Sequence, residues 1–259
     1  MIIESVLRSA RPYLQGRKVK DVVIGLSLLA AELDNGYIGV SYVLREGLKG
    51  GCSAFPYGQQ LIGEDATDIA AWAVNGSDHL QRAVGTAVLA AASRAQKLKD
   101  SEVPGRPIGN ELRESDTVGM IGHISPVVKM IRPQVKELYL FDEGKSKCGR
   151  DGDPLFPVEE QPRLLPACDI VILSGTTVIN GSVDELLKFC SCAREVVMIG
   201  ASTPIFPDAF LKSKVSVLAG SWWKSEHKED IFKIISLAGG MRDLGPYAIK
   251  KSVKVHSLA

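Results

Sequence analysis

The sequence carries almost no net charge: 31 Lys and Arg stand against 30 Asp and Glu, leaving +1 over 259 residues. A chain so balanced exerts no long-range pull on nucleic acid or on an anionic membrane, and no basic run restores one. Neither partner is expected. Long apolar stretches are missing too. The longest, Val22 to Leu33, is interrupted by Gly25 and Ser27 and bounded by Asp21 and Asp34. It is too short to cross a bilayer of about 30 Å as a helix. Residues Met1 to Ala10 include Glu4 and Arg8 and lead to no small-residue cleavage site, so a cytoplasmic location without membrane insertion is expected.

Cysteine is scarce and odd in number. Cys52, Cys148, Cys168, Cys190 and Cys192 are spread along the chain, which fits a reduced compartment better than a disulfide framework. Cys190 and Cys192 form a C-x-C pair near an expected helix end, where residues two apart point in different directions. Free thiols, packed or partly exposed, are favoured there over a soft-metal site. His79, His227 and His256 show no partner spacing, and no H-E-x-x-H, paired C-x-x-C, Walker A or nucleophile-elbow pattern occurs. Metalloprotease, zinc-finger, P-loop and α/β-hydrolase readings fall away.

What is present is the composition of an ordinary folded protein, 45% hydrophobic and 24% charged. Ile3, Val6, Leu7, Ala10 and Leu14 share one face at helical spacing, so the chain opens on an amphipathic helix over Ile2 to Leu14. Val22 to Leu33 reads as a buried strand, Asp34-Asn35-Gly36 as a turn tolerating positive φ, and Tyr37 to Leu44 as the returning strand. After a glycine-rich irregular segment (Gly47, Gly50, Gly51, Pro56, Gly58), helices are expected over Asp65 to Val74 and Ser77 to Lys99, with Ser77 as N-cap of the second. Its run of Ala83, Gly85, Ala87, Ala90, Ala91 and Ala92 suits close packing against a sheet or helix.

Pro104-Gly105-Arg106-Pro107 breaks both periodicities and marks a domain boundary, giving an α+β unit over 1–107 and a second unit over 108–259. Beyond it, strand-like runs at Thr117–Ile121, Glu137–Phe141, Asp169–Leu173, Glu195–Ile199 and Val215–Leu218 alternate with mostly helical patterns. That grammar predicts βαβ units and a largely parallel, three-layer αβα sheet.

In such a sheet ligands bind beyond the carboxyl ends of the strands, so the loops after each strand hold the candidate residues. The first offers Gly119, Gly122 and His123, a G-x-x-G lacking the G-x-G spacing of a dinucleotide fingerprint. The second offers Asp142, 23 residues after Gly119, near where an acidic side chain receives ribose hydroxyls; a solvated strand-end carboxylate fits equally. The third, Gly175 to Gly181, sets Thr176, Thr177 and Asn180 between glycines, and Ser182 with Glu185 forms a capping-box pattern. Exposed helix N–H groups beside hydroxyls suit an anionic or carbonyl-bearing ligand, though the same residues can serve only the local backbone. The fourth offers Ser202. His123 and Asp142 are the titratable candidates for catalysis, with a packed imidazole as the alternative for His123. Trp222 and Trp223 read by default as aromatic packing.

Asp169-Ile170-Val171-Ile172-Leu173-Ser174-Gly175-Thr176-Thr177-Val178-Ile179-Asn180-Gly181-Ser182, followed by Asp184-Glu185-Leu186-Leu187, resembles the T-G-T-T-L-x-N-G-T signature of an uncharacterised family known as "putative heavy-metal chelation" proteins. Val118 to Gly122 and Ile199 to Pro204 resemble its other glycine loops. Asp34 to Val40 and Ser77 to Ala92 are similar to its first domain, so the resemblance spans nearly the whole chain. It departs at Ala90, where the family often has Asn, and at Ala201, where it has Pro.

The resemblance implies an enolase N-terminal-like α+β domain, a Rossmann-like domain related to methyltransferase sheets, and a site between them. It also implies metal-chelator, pterin, flavin or siderophore-type chemistry, or metal transport. The leading expectation is a small polar or anionic metabolite, nucleotide-like molecule or metal chelate in that cleft, held by Gly119, Gly122, Gly175, Thr176, Thr177, Asn180 and Ser202. If the protein is an enzyme, condensation or hydrolysis is the expected class. The alternatives are a non-enzymatic protein handling a divalent heavy metal and an S-adenosylmethionine- or NAD-dependent enzyme. A homodimer is the default assembly.

Overall fold

A computed structural model describes residues 1–48, 53–100, 112–143 and 153–255. Gly50, Gly51, Cys52, the expected boundary at Pro104 to Pro107, Cys148 and His256 lie outside the described residues. Helix α1 (Ile2–Leu14) follows its apolar stripe, with Ile3, Val6, Ala10 and Leu14 buried. Three antiparallel strands follow, β1 (Val19–Ile24), β2 (Leu28–Leu33) and β3 (Ile38–Tyr42), then α2 (Ala66–Asn75) and α3 (His79–Ser93).

The single strand expected over Val22 to Leu33 is thus two strands and a turn. Gly25 N–H donates to Leu28 carbonyl at 2.9 Å and closes that turn. A Cβ on Gly25 would lie 2.2 Å from the Ile235 carbonyl oxygen, so only glycine lets the turn pass the neighbouring helix. β2 is buried along its whole length, and an unbroken apolar run hides such a turn because neither face needs polar residues. The Asp34-Asn35-Gly36 turn forms as expected, with Gly36 at φ +81°.

Helix α3 is capped by Asp78 rather than Ser77. The Asp78 carboxylate accepts from Gln81 N–H at 2.8 Å, while Ser77 N–H donates to the Gln81 side chain. The small-residue run does allow close approach. A Cβ on Gly39 of β3 would lie 1.9 Å from Ala87 O, and one on Gly85 would lie 2.2 Å from Ala73 N of α2.

The second half contains β4 (Thr117–Ile121), α4 (Ser125–Ile131), β5 (Glu137–Phe141), α5 (Gln161–Leu164), β6 (Ile170–Ser174), α6 (Val183–Phe189), β7 (Glu195–Ile199), β8 (Val217–Trp223), α7 (Lys228–Ser236), α8 (Met241–Leu244) and β9 (Ala248–Lys254). The six-stranded sheet has the order β5-β4-β6-β7-β8-β9. β4 to β8 pair in parallel, and β9 closes one edge antiparallel to β8. β8 runs past its expected end at Leu218. Sequence patterning gave no strand at β9, whose lysines obscure the alternation.

Helices cover both faces. Val127, Val128 and Ile131 of α4 pack with Val118, Met120, Ile170 and Ile172. Val183 and Leu186 of α6 pack with Val171, Leu173, Val196 and Met198 on the other. The halves share their cores. Leu28, Ala30, Ile38 and Val40 of the small sheet pack against Ala201, Trp223, Ile231, Ile235 and Leu244.

At the amino ends of the parallel strands Asp116 is 2% exposed and receives both Arg194 guanidinium nitrogens, at 2.7 and 2.6 Å. Those bonds hold its carboxyl below the usual carboxylate range.

Candidate functional site

Strand β4 lies between β5 and β6, so the chain leaves β4 towards one edge of the sheet and leaves β6 towards the other. Such a reversal opens a crevice at the strands' carboxyl ends. Gly122, at φ +88°, sits in it, and a Cβ there would lie 2.7 Å from Ser174 Cβ at the end of β6. A side chain would be strained by the backbone conformation and blocked by its neighbour.

The loops after β4 and β5 are joined directly. His123 N–H donates to Asp142 Oδ2 at 2.6 Å, and Gly122 N–H donates to the Phe141 carbonyl at 2.7 Å. The imidazole of His123 is 1% exposed, with Nε2 2.6 Å from Asp153 Oδ2. Its Nδ1 is 3.3 Å from Ser125 Oγ. Arg132 donates to the other Asp153 oxygen at 3.0 Å.

Beside this chain of contacts lies a cavity of about 680 Å³, half open to the surface and lined by Ser125, Val128, Lys129, Arg132, Pro133, Asp153 and Arg242. Its volume falls within the usual range for a small-molecule site, about 300–1,000 Å³. Three of those side chains are cationic. Asp153, their one carboxylate, is already paired with Arg132 and His123.

Of the lining residues, only Ser125 stands in a loop singled out from the sequence. Ser125, Lys129 and Arg132 recur at i, i+4 and i+7, one face of a helix, and that spacing was available as a signal. Asp153 and Arg242 carried none, because the fold alone brings them to α4.

The remaining candidates occupy varied positions. Gly119 is a packing position, since a Cβ there would meet Leu165 Cδ2 at 2.7 Å and Cys168 Sγ at 3.0 Å. Gly175 lies against the loop after β7, where a Cβ would meet Thr203 N at 2.5 Å. Thr176 donates through its hydroxyl to Ser174 Oγ at 2.9 Å, and the buried Thr177 hydroxyl donates to the Ser174 carbonyl at 2.8 Å.

Asn180 is exposed and accepts from Ser182 N–H and Oγ at 3.1 and 2.8 Å. The expected Ser182–Glu185 capping box does not form, because the Ser182 hydroxyl is turned back to Asn180. Ser202 is fully buried and ties the halves together, accepting from Tyr42 N–H at 2.9 Å with Ser41 Oγ 3.2 Å away. The crevice therefore gathers Gly122, His123 and Asp142 near Ser174, while Thr177 and Ser202 have their hydroxyls engaged inside the protein.

The tryptophans pack. Trp222 Nε1 donates to Ser93 Oγ at 2.9 Å, with Arg94 and Lys251 at 5.0 and 4.8 Å from its ring. Trp223 lies in the shared core. Cys168 and Cys190 donate to the Leu164 and Leu186 carbonyls, and burial pushes both thiols up to about 12. They stay neutral at physiological pH and offer no thiolate. Cys192 is exposed, apart from buried Cys190. Among the described residues no three His, Cys, Asp or Glu side chains are grouped to hold a metal ion, and no helix is long and apolar enough to cross a membrane.

Comparison with solved structures returns the same fold. A DUF364-family protein of unknown function from Pyrococcus horikoshii superposes with a TM-score of 0.79 at 20% identity, over 98% of this chain and 100% of that one. Another, from Desulfitobacterium hafniense, gives 0.76 at 18% identity, over 97% and 98%. An uncharacterized protein of Methanocaldococcus jannaschii is 27% identical over 137 residues, 51% of each chain, so this chain spans about half the length of that relative. Residues 7–93 match the DUF4213 model and residues 108–254 the DUF364 model, both described as "Putative heavy-metal chelation". The chain belongs to the DUF364 family, which carries that description.

Proposed function

We propose that the protein binds a small multiply charged anion, a polycarboxylate or phosphate-bearing metabolite or its metal chelate, in the cavity between α4 and α8. The observation that carries this reading is the convergence of Lys129, Arg132 and Arg242 on one cavity where, among the described residues, the single carboxylate is already paired. Among the described residues Lys129 and Arg242 have no ion-pair partner. Their charge is available to a ligand. A protein near neutrality overall attracts an anion only through such a local cluster, and guanidinium forks suit carboxylate or phosphate.

The family description points to heavy metal, and the described residues do not fit a bare ion. They supply no grouped ligand set, and the buried thiols are neutral. A chelate resolves the tension, because the small molecule carries the metal's ligands and the protein need only recognise its outer negative charge. A nucleotide fits the crevice less directly, since Asp142 Oδ2 already accepts from His123 N–H. With Asp153 lining the cavity and His123 paired behind it, condensation or hydrolysis of the bound metabolite is the reaction class we assign.

Calorimetric titration with citrate, with citrate carrying one equivalent of Ni²⁺, and with Ni²⁺ alone tests this reading. Saturable heat is expected for both citrate forms. Removing the charge at Lys129 and Arg242 should weaken binding by about tenfold each, since a charge-assisted hydrogen bond contributes about 1.5–3 kcal/mol. Stoichiometric binding of Ni²⁺ alone, with no heat from either citrate form, would overturn it.

A further inference from the structure

We propose that Ser125 is a nucleophile activated by His123, with Asp153 as the positioning residue, and that the cavity is an acyl-transfer site for an anionic ester. The inference deepens the proposed function, resting on that reading for the charge of the substrate and on separate geometry for the chemistry. Asp153 Oδ2 lies 2.6 Å from His123 Nε2. A carboxylate there accepts the Nε2 proton and fixes the tautomer, which leaves the Nδ1 lone pair as the base. Ser125 Oγ is the group facing that lone pair, at 3.3 Å. Arg132 holds the second Asp153 oxygen at 3.0 Å, so the carboxylate is anchored at both ends.

The imidazole is 1% exposed, whereas Ser125 lines the cavity. The base is thus shielded from water and the hydroxyl it serves is open to a ligand, the relation that nucleophilic catalysis requires. A nucleophile–base contact of this length is close enough to tighten into a hydrogen bond when substrate is seated. The arrangement has the roles of a Ser-His-Asp triad with the two ring nitrogens exchanged, and such sites are recognised by roles rather than by chain order. It needs no nucleophile elbow, so the absence of that motif is no obstacle.

The step balances with water as the only co-reactant. Ser125 Oγ bonds to the ester carbonyl carbon as its proton passes to His123 Nδ1. Lys129, one turn further along α4 and lining the same cavity, is the cation we assign to the oxyanion that forms. The C–O bond to the leaving alcohol breaks, and that alcohol takes the proton from Nδ1. Water then attacks the acyl-Ser125, giving its proton to Nδ1, which returns it to Oγ as the carboxylic acid departs.

A fluorophosphonate probe tests the nucleophile directly, because Oγ bonds to phosphorus, fluoride leaves and the Oγ proton passes to Nδ1. Peptide mapping of the full chain should find one adduct, on Ser125. The S125A variant should give none, and His123→Gln, which keeps a polar group in place, should label at least about a hundredfold more slowly. Asp153→Asn should slow labelling and shift the His123 ring ¹⁵N signals away from the Nε2–H tautomer, while Asp153→Glu restores both. Wild-type protein that binds citrate yet forms no Ser125 adduct would overturn the nucleophile alone, leaving the anion site standing. Labelling at the wild-type rate in His123→Gln would equally overturn it.

Discussion

The loops after β4 and β6 meet at the same edge of the sheet, one glycine apart from steric contact, and use their polar residues in opposite ways. After β6, the Thr176 and Thr177 hydroxyls turn back to Ser174, and Asn180 engages Ser182. Gly175 lets the loop after β7 pack directly on it. After β4, His123 links Asp142, Asp153 and Ser125, and the helix that follows turns Ser125, Lys129 and Arg132 towards a cavity. The loop richer in hydroxyls and glycines engages its hydroxyls with its own neighbours, and the loop after β4 leads into a helix that lines the cavity.

Substitutions that separate folding from binding can break that contrast. The largest effect is expected from Gly175→Ala, whose methyl group would meet backbone atoms of Ser202 and Thr203 at 2.6 and 2.5 Å. Urea denaturation should show a loss of about 3 kcal/mol, with citrate affinity unchanged in the fraction that remains folded. Arg194→Ala, at the far end of the sheet, should cost up to about 3 kcal/mol at pH 7, by leaving buried Asp116 without its cation and with the Arg113 N–H as its remaining donor. Because Asp116 has a depressed folded-state value, its contribution is present above the unfolded value of about 3.9 and is lost as pH falls through the folded one. Wild-type and variant urea midpoints should converge below that range.

A Lys129→Ala, Arg242→Ala double variant should lose about a hundredfold in citrate affinity with almost no change in melting temperature, as both side chains are exposed. Raising salt should weaken wild-type binding more than that of the variant. Smaller still, Thr177→Val should cost about 1 kcal/mol of stability for its lost bond to Ser174, and Asn180→Ala less. Neither should alter citrate binding more than about twofold. If either abolished it in calorimetry, the loop after β6 would belong to the site and the contrast would fail.

Much of the fold was legible because it is locally encoded. The stripe in α1, the Asn35-Gly36 turn, and the strands β4, β5 and β7 are set by residue spacing within a few turns of chain. The split of Val22 to Leu33 was hidden by burial on both faces, and β9 by its lysines. Asp78 displaced Ser77 as a cap because its carboxylate reaches Gln81 N–H. At the site, His123 and Asp142 could be anticipated from strand ends, and Ser125, Lys129 and Arg132 share a helical period.

By itself, then, the sequence determined the alternation of elements, the parallel character of the second sheet and the near-zero net charge. Only the tertiary structure decided which loop opens on a cavity. Strand order sets Gly122 against Ser174, carries Asp153 to His123 and brings Arg242 across from α8. These partners are 52, 30 and at least 110 residues from the groups they join. No local periodicity specifies such distances, because they follow from how buried strands are paired and packed.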